Sequence, residues 1–250
     1  MNNVLNATLL QRHTVSEGLA RFVFRLDDDR EALFTPGQFT LVGLPPDEAE
    51  SASGHKQRMI RRVYSIANAG PVSRDVEFLI RRIDSGKLTP RLWAMTAGDR
   101  VWINETFTGD FTLDPIPNDS NILMVATGSG IAPFVSMVRS FHEHDRWRRL
   151  VLIHGVRFPA ELAYRDELAA MPEIEYVPVV SRDLSVEDPQ VHHGQVQSVV
   201  TSLPLDPKTW HAMLCGNADM VDQVRSMLED LQFVASTHSV DGNLHLEPYW

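Results

Sequence analysis

The sequence holds a single cysteine, Cys215, in 250 residues. That excludes an internal disulfide framework and any all-cysteine iron–sulfur site. No apolar run approaches the ~18 residues of a membrane-spanning helix. The opening MNNVLNATLLQRH lacks the basic segment and long apolar core of a signal peptide. The expectation is a cytoplasmic protein that crosses no membrane. No Gly-x-Ser-x-Gly elbow occurs, which removes the usual hydrolase nucleophile. Basic charge is short as well: 23 Lys and Arg face 33 Asp and Glu, a net charge of −10, which argues against general nucleic-acid binding. Ten histidines are present, yet the only close pairs are His142 with His144 and His192 with His193. Neither pair is joined by carboxylates or cysteines at ligand spacing, so no metal site is expected.

Charge is unevenly spread. Residues 1–115 carry 14 basic and 15 acidic side chains, whereas 116–250 carry 9 and 18. Within 55–91 the balance reverses, with Lys56, Arg58, Arg61, Arg62, Arg74, Arg81, Arg82, Lys87 and Arg91 against Asp75, Glu77 and Asp84. A basic island on an acidic protein suits anionic cofactors or an acidic partner.

The local grammar changes midway. Short strands with turns between them fill the first half: 4–26 with 19–26 the clearest, then 39–44, 62–67, 75–83, 98–103 and 109–113. Residues 45–60 are polar and small, and read as a loop. One helix, 87–95, interrupts this series. Such a pattern predicts a small antiparallel barrel or sandwich. Residues 114–120 (DPIPNDS) have linker composition. Beyond them strands at 121–127, 150–154, 174–180 and 210–215 alternate with helices near 133–144, 160–170, 194–202 and 217–231. The stretch RWRR at 146–149 reads as an exposed basic helical face. This half predicts a parallel sheet with helices on both sides. The fold expected is thus β plus α/β, divided into 1–115 and 116–250, with a strand-like tail from Asn243.

Residues 121–138 carry the most information. An apolar strand ending at Thr127 runs into Gly128-Ser129-Gly130, and Pro133 then opens a helix, where its missing N–H costs nothing. Strand, glycine turn and helix entry together favour an anion such as a dinucleotide pyrophosphate. The third glycine of the full Rossmann fingerprint is absent, so the motif is weak alone.

Six motifs in order make the pattern specific: Arg62-Val63-Tyr64-Ser65, Gly86-Lys87-Leu88-Thr89, Gly128-Ser129-Gly130-Ile131-Ala132-Pro133-Phe134, His154-Gly155-Val156-Arg157, Cys215-Gly216-Asn217 and Glu247-Pro248-Tyr249-Trp250. With them the chain resembles the bacterial ferredoxin (flavodoxin)–NADP⁺ reductases over nearly its whole length. The resemblance implies an FAD-binding barrel followed by an NADP(H)-binding domain. Hydride would pass between NADPH and FAD, and single electrons between FAD and a ferredoxin or flavodoxin, in a monomeric enzyme.

The resemblance also assigns roles. Arg62 and Tyr64 share a strand face; Tyr64 would cover the flavin ring, Arg62 reach the pyrophosphate, and Ser65 bond near flavin N5. Gly86, Lys87, Leu88 and Thr89 would receive the FAD pyrophosphate at the entry to the first helix. Thr127, Gly128, Gly130 and Gly216 would line the NADP site, with Cys215 beside the nicotinamide and Glu247 as an active-site carboxylate. Arg157 and Arg182 would clamp the 2′-phosphate. A further family arginine is replaced by Gln195, which puts the preference for NADPH in question, and Arg165 is a candidate to compensate. Tyr249 would lie on the flavin face opposite Tyr64 and act as a gate, with Trp250 near the adenine. The same fold would also serve a reductase component of an oxygenase, a free-flavin reductase, or a non-catalytic nucleotide sensor.

Overall fold

The chain is described by a computed structural model that covers residues 4–46, 59–183, 185 and 187–249. Trp250, Lys56, Arg58 and most of the loop at 45–60 therefore lie outside the described residues.

The first half forms strands β1 (Ala7–Ser16), β2 (Leu19–Leu26), β3 (Ala32–Leu33), β4 (Phe39–Leu44), β5 (Ile60–Ser65), β6 (Val72–Ser73), β7 (Asp75–Arg81) and β8 (Arg100–Ile103). Six of them make an antiparallel sheet in the order β5-β4-β8-β1-β2-β7, and β3 pairs with β6. Alternation decides which side faces in. In β2, Ala20, Phe22, Phe24 and Leu26 are buried, while Arg21, Val23 and Arg25 point outward. The inward row packs with Phe78, Ile66 and Leu92. The sheet curls like a barrel without a continuous closing ladder. Its edge strands meet in one bridge, Ile66 to Phe78, beside an Ala67 N–H donating to Glu77 O at 2.9 Å. Helix α1 (Thr89–Ala94) plugs one end with Leu92. The strand expected at 109–113 does not form. Gly109 takes a φ of +122°, and Phe111 and Leu113 instead bury against the second half, with the Phe111 ring 5.6 Å from that of Phe134.

The second half is a six-stranded parallel sheet in the order β12-β11-β10-β9-β13-β14. Its strands are β9 (Ser120–Thr127), β10 (Trp147–Val156), β11 (Ile174–Val180), β12 (His192–His193), β13 (Trp210–Asn217) and β14 (Leu244–Tyr249). Helices α2 (Ala132–Phe141), α3 (Arg165–Ala169), α4 (Val196–Ser202) and α5 (Ala218–Asp230) connect them. The central strands are near-continuous apolar runs because both faces are covered.

Two expectations fail here. The helix predicted over 160–170 shrinks to a 3₁₀ turn, Pro159–Glu161, and the short α3. Tyr164 between them adopts φ +62°, which breaks the helix and sends its ring toward the first sheet. The basic helical face at 146–149 is instead the start of β10, with Trp147 opposite Ser120. Its arginines are committed: Arg148 to Asp119 at 2.6 Å, Arg149 to Glu175 at 2.6 Å, and Arg146 to the Ile116 carbonyl at 2.6 Å.

The halves are joined by a shared apolar cluster and a polar knot. Leu19, Ala67 and Leu79 of the first pack with Ala132, Val135 and Met137 of the second. Glu77 accepts from Arg21 at 2.9 Å and from the Tyr164 hydroxyl at 2.7 Å, and stands 3.4 Å from Arg139. Arg139 also bonds Glu167 at 2.5 Å and the Ala67 carbonyl at 2.8 Å. Both guanidiniums lie over the Tyr164 ring, that of Arg21 4.8 Å and that of Arg139 5.0 Å from its centre. These arginines hold the Glu77 carboxyl below its ordinary range against the upward push of burial.

Candidate active site at the junction of the two sheets

In the parallel sheet the chain steps from β9 to β10, β11 and β12 on one side and then crosses by α4 to β13 on the other side of β9, so the carboxyl ends of β9 and β13 form the crevice where open α/β sheets bind ligands. Thr127 ends β9. Gly128 follows with φ +55°, a left-handed conformation, and opens a 3₁₀ turn that leads into α2. At Gly130 a Cβ would stand 2.5 Å from the Cys215 carbonyl oxygen. At Gly216, with φ +132°, it would stand 2.4 Å from Thr127 Oγ1. The Gly-Ser-Gly turn and the Cys-Gly corner therefore touch backbone to backbone. The Asn217 N–H donates to Thr127 Oγ1 at 2.9 Å and locks the two strand ends together. Above Gly128 the space is open, with only an arginine nitrogen as near as 4.0 Å to its Cβ position. A cradle of this kind, with backbone amides and no side chain in the way, fits a pyrophosphate.

His154 supports the turn from below. It is fully buried, with Nε2 3.2 Å from the Gly128 carbonyl and Nδ1 3.2 Å from the Tyr176 hydroxyl. Burial lowers its pKa to about 4, so the ring is neutral at pH 7. The carbonyl can only accept, so Nε2 carries the proton and Nδ1 accepts from Tyr176. The motif His154-Gly155-Val156-Arg157 contained this residue, but no periodicity signals a hydrogen bond from one strand to the turn of its neighbour.

At the same junction four side chains converge. Parallel pairing sets Glu247 beside Cys215 and Tyr249 beside Asn217. Ser65, at the end of β5, comes across from the other sheet. Its Oγ lies 2.7 Å from the Tyr249 hydroxyl and donates to Glu247 Oε1 at 3.2 Å, and the Cys215 thiol donates to the same oxygen at 3.8 Å. With its one proton given to Glu247, Ser65 accepts from Tyr249, which makes a directed chain from Tyr249 to Ser65 to Glu247. Burial raises the Glu247 pKa to about 7, and the Ser65 and Cys215 bonds only partly oppose it. The Cys215 thiol is pushed up by burial and by Glu247, which keeps it protonated and unsuited to attack. Tyr249 is likewise raised by burial.

The other expected residues vary in how they present themselves. Tyr64 is half-buried, its ring 6.0 Å from Phe78, and its pKa is raised by burial. Arg62 is exposed on the same strand face, bonding only the Arg61 carbonyl at 2.7 Å among the described residues. Val63 is 52% exposed. Thr89 does not hold an open hydroxyl at the helix entry. It accepts from Ile83 N–H at 2.9 Å and donates to Ile83 O at 3.1 Å, closing the loop that contains Gly86, while Leu88 is the helix cap and Lys87 is exposed. Arg157 and Arg182 are neighbours: the Arg182 N–H donates to Arg157 O at 3.0 Å, both side chains are exposed, and neither joins an ion pair among the described residues. Arg165 is different, because it is paired with Asp188, and it cannot compensate for Gln195 while that pair holds. Gln195 itself is exposed at the cap of α4.

One residue missed in the sequence is Glu161. Its carboxylate accepts from the backbone N–H of Arg157 at 3.0 Å and of Phe158 at 3.2 Å, and so shapes the corner that presents Arg157. The basic island is also weaker than its count. Arg74 pairs with Asp29, Arg82 with Asp84 at 2.6 Å, and Arg81 with Glu161 at 2.8 Å. Among the described residues no group of three His, Cys, Asp or Glu could hold a metal ion, and no helix is long and apolar enough to cross a membrane.

Comparison with known proteins agrees with this geometry. Residues 6–111 match the family model for the oxidoreductase FAD-binding domain, and residues 124–226 that for the oxidoreductase NAD-binding domain. A flavodoxin/ferredoxin–NADP reductase of Buchnera aphidicola is 30% identical over 261 aligned positions, which cover 100% of both chains. The protein of the same description from Escherichia coli is 35% identical over 75% of this chain and 76% of its own. Among solved structures, a ferredoxin NADP⁺ reductase from Neisseria gonorrhoeae with bound FAD and NADP superposes with a TM-score of 0.85 at 25% identity, over 99% of each chain. The chain belongs to the flavodoxin/ferredoxin–NADP reductase family.

Proposed function

We propose that this protein transfers hydride between NADPH and FAD and single electrons between FAD and a ferredoxin or flavodoxin. The observation that carries the reading is the meeting of Ser65 from one sheet with Cys215, Glu247 and Tyr249 from the other, at the mouth of the crevice that holds the glycine turn. Bound FAD supplies the exchange between a two-electron donor and one-electron acceptors.

The protein's own residues bind, orient and guard. Tyr64 and Arg62 offer one ring and one cation on a common face of β5. The segment Gly86–Thr89 shapes the entry to α1 through its internal hydrogen bonds. Thr127, Gly128, Gly130 and Gly216 form the nucleotide cradle, and Arg157 with Arg182 face the 2′-phosphate. Glu247, with a pKa near 7, holds or releases a proton at Oε1 within reach of Ser65 Oγ. The Tyr249 hydroxyl occupies Ser65 and must move aside for a nicotinamide to approach. Trp250, the family's adenine-side residue, belongs to the same proposal.

The division at 115/116 is part of this reading, supported by the change of sheet between Ile103 and Ser120. So is action as a monomer, since one copy supplies both halves of the site, and a cytoplasmic setting, which fits a single free and buried cysteine. The basic stretch at 55–91 is the candidate docking surface for that acidic carrier. A second reading has one specific support: a cytochrome P450 reductase of Amycolatopsis is 27% identical over 98% of this chain and 69% of its own, with a TM-score of 0.76.

Anaerobic titration of the flavin-loaded protein with NADPH and with NADH tests the proposal. Bleaching of the flavin absorbance at far lower NADPH than NADH is the expected result. Equal response to both moves the acceptor toward the oxygenase-type reading, and a flavin that neither nucleotide bleaches overturns the proposal.

A further inference from the structure

We propose that Ser136 and Ser140 of α2 are positioning residues for hydride transfer. They fix the backbone that follows Ser65 to the helix that carries the nucleotide turn, and so set the two reacting rings at one separation. The inference rests on the proposed function, with Ser65 beside the flavin and the turn at 128–130 holding the nucleotide.

Ser65 is the last residue of β5. The N–H groups of the next two residues stay within their own half: Ile66 donates to Gln38 O at 3.1 Å and Ala67 to Glu77 O at 2.9 Å. From the Ala67 carbonyl onward the partners change to α2. Ala67 O accepts from Arg139 Nη1 at 2.8 Å, Asn68 O accepts from Ser136 Oγ at 2.8 Å, and the Gly70 N–H donates to Ser140 Oγ at 2.9 Å. Ser136, Arg139 and Ser140 are spaced i, i+3 and i+4, which puts them on one face of the helix. Ser140 donates its own proton to Ser136 O at 2.7 Å, so its oxygen is left to accept from Gly70. The side chain of Asn68 closes the strap on the other side, its Oδ1 accepting from the Glu77 N–H at 3.0 Å.

Helix α2 starts at Ala132, directly after the turn Gly128–Ile131, and Ser136 lies only ~6 Å along the helix from there. One short rigid piece therefore links the nucleotide cradle to the chain that leaves Ser65. Two observations separate positioning from plain adhesion between the halves. Ser136 is fully buried, where an unbonded hydroxyl would be costly and an apolar side chain would serve adhesion better. The three bonds also do not scatter over the junction. They land on Ala67, Asn68 and Gly70, all within five residues of Ser65. Adhesion is already supplied by the apolar cluster that includes Leu19, Leu79, Val135 and Met137. Hydride transfer is the step that needs such placement, because an error of about 1 Å can cost on the order of 100-fold in rate.

The test is made on FAD-loaded protein by anaerobic rapid mixing with NADPH, with the melting temperature measured beside it. Arg139 is left intact because it also holds Glu77 and Glu167. Ser136→Ala and Ser140→Ala should each slow flavin reduction at saturating NADPH about five- to tenfold, with half-saturation by NADPH within about twofold. The long-wavelength absorbance of a nicotinamide stacked on the flavin should weaken in both. Ser140→Thr keeps the hydroxyl at a half-buried position and its bond back along the helix, and should restore rate and absorbance. Leu19→Val, which loosens the same junction through its apolar contacts, should lower the melting temperature and leave rate and absorbance unchanged. A lower melting temperature in the serine variants, with rate and absorbance unchanged, would make them struts and overturn the proposal. Equal slowing in Leu19→Val would overturn it too, because any weakening of the junction would then suffice. Wild-type flavin that NADPH does not bleach would overturn the proposed function, and the proposal with it, whereas normal wild-type reduction confines either earlier result to the serines.

Discussion

Two turns in this chain look alike in sequence and differ in structure. Gly86-Lys87-Leu88-Thr89 and Gly128-Ser129-Gly130 each place glycine ahead of a proline-primed helix, and both suit a phosphate. The first is closed on itself: Thr89 spends its hydroxyl on both backbone groups of Ile83, and the helix that follows has six residues. The second is open. The hydroxyl just before it, Thr127 Oγ1, is turned aside to hold Asn217, the Gly128 carbonyl is taken by His154, and a ten-residue helix follows. The lesson is that glycine, hydroxyl and proline mark a helix entry, while availability to a ligand depends on where the hydroxyl and carbonyl are spent.

That contrast can be broken by substitution. The largest effect is expected at Gly130→Ala, where the new methyl would meet the Cys215 carbonyl oxygen at 2.5 Å and neither strand end can yield. The cost should reach the upper end of the ~1–3 kcal/mol typical of overpacked sites, with NADP⁺ binding lost and FAD retained. Gly86→Ala meets Ile83 O at 3.0 Å, and should cost less and spare the nucleotide. A larger loss at Gly86 in thermal melts would reverse the ranking of the two turns.

Thr89→Val comes next. It leaves the Ile83 groups without their partner, at about 1–3 kcal/mol, and the melting temperature should fall even in protein stripped of flavin. Thr89→Ser should restore it. Weakened flavin binding with an unmoved apoprotein melting temperature would return Thr89 to the role of an open phosphate donor.

A smaller change is expected at His154. His154→Leu removes both of its hydrogen bonds, and NADP⁺ affinity should drop about five- to tenfold, in line with ~1 kcal/mol for a neutral hydrogen bond, with flavin content unchanged. His154→Gln, which can still donate to Gly128 O, should recover most of it. Loss of flavin in His154→Leu would show that the histidine serves the whole fold and not the second turn.

The mildest test uses pH. His154 binds its proton less readily when folded, near pH 4, than an unfolded histidine near 6.5. Its contribution is complete above pH 6.5 and is lost as pH falls toward 4. His245, also near 4 through burial, has the same sign. Glu247 has the opposite sign, because its folded pKa near 7 lies above the ordinary 4.5: its contribution is complete below pH 4.5 and is lost as pH rises toward 7. In Glu247→Gln the melting temperature should therefore rise with pH across 4.5–7 more steeply than in the wild type. In His154→Leu the rise should flatten. Parallel curves for all three proteins would contradict both assignments.

What was legible in the sequence followed from local rules. The apolar run 121–127 and the glycine turn after it followed from such rules, whereas the placing of Ser65, Cys215, Glu247 and Tyr249 at one site was what the resemblance carried by the six motifs implied. The failures came from partners distant in sequence. Arg165 is paired with Asp188 and Arg74 with Asp29, so two cations read as available were spent on carboxylates 23 and 45 residues away. The helix expected at 160–170 failed for a similar reason. The left-handed Tyr164 is strained locally, and the contact that rewards it, with Glu77, is 87 residues away. A hydrophobic pattern cannot show such debts between distant residues.

The knot around Tyr164 has a consequence for recombination between relatives. The buried carboxylate of Glu77 draws on Arg21 from its own half and on Tyr164 and Arg139 from the other. A chimera that kept the first half and took its second from a protein lacking those two side chains would leave that acid to Arg21 alone and lose the Tyr164 hydrogen bond, a defect of about 1.5–3 kcal/mol for a bond to a charged group. The halves are thus not interchangeable parts. Their inheritance is coupled through one acid, and a viable graft must carry Glu77, Arg139 and Tyr164 together or replace all three with apolar side chains.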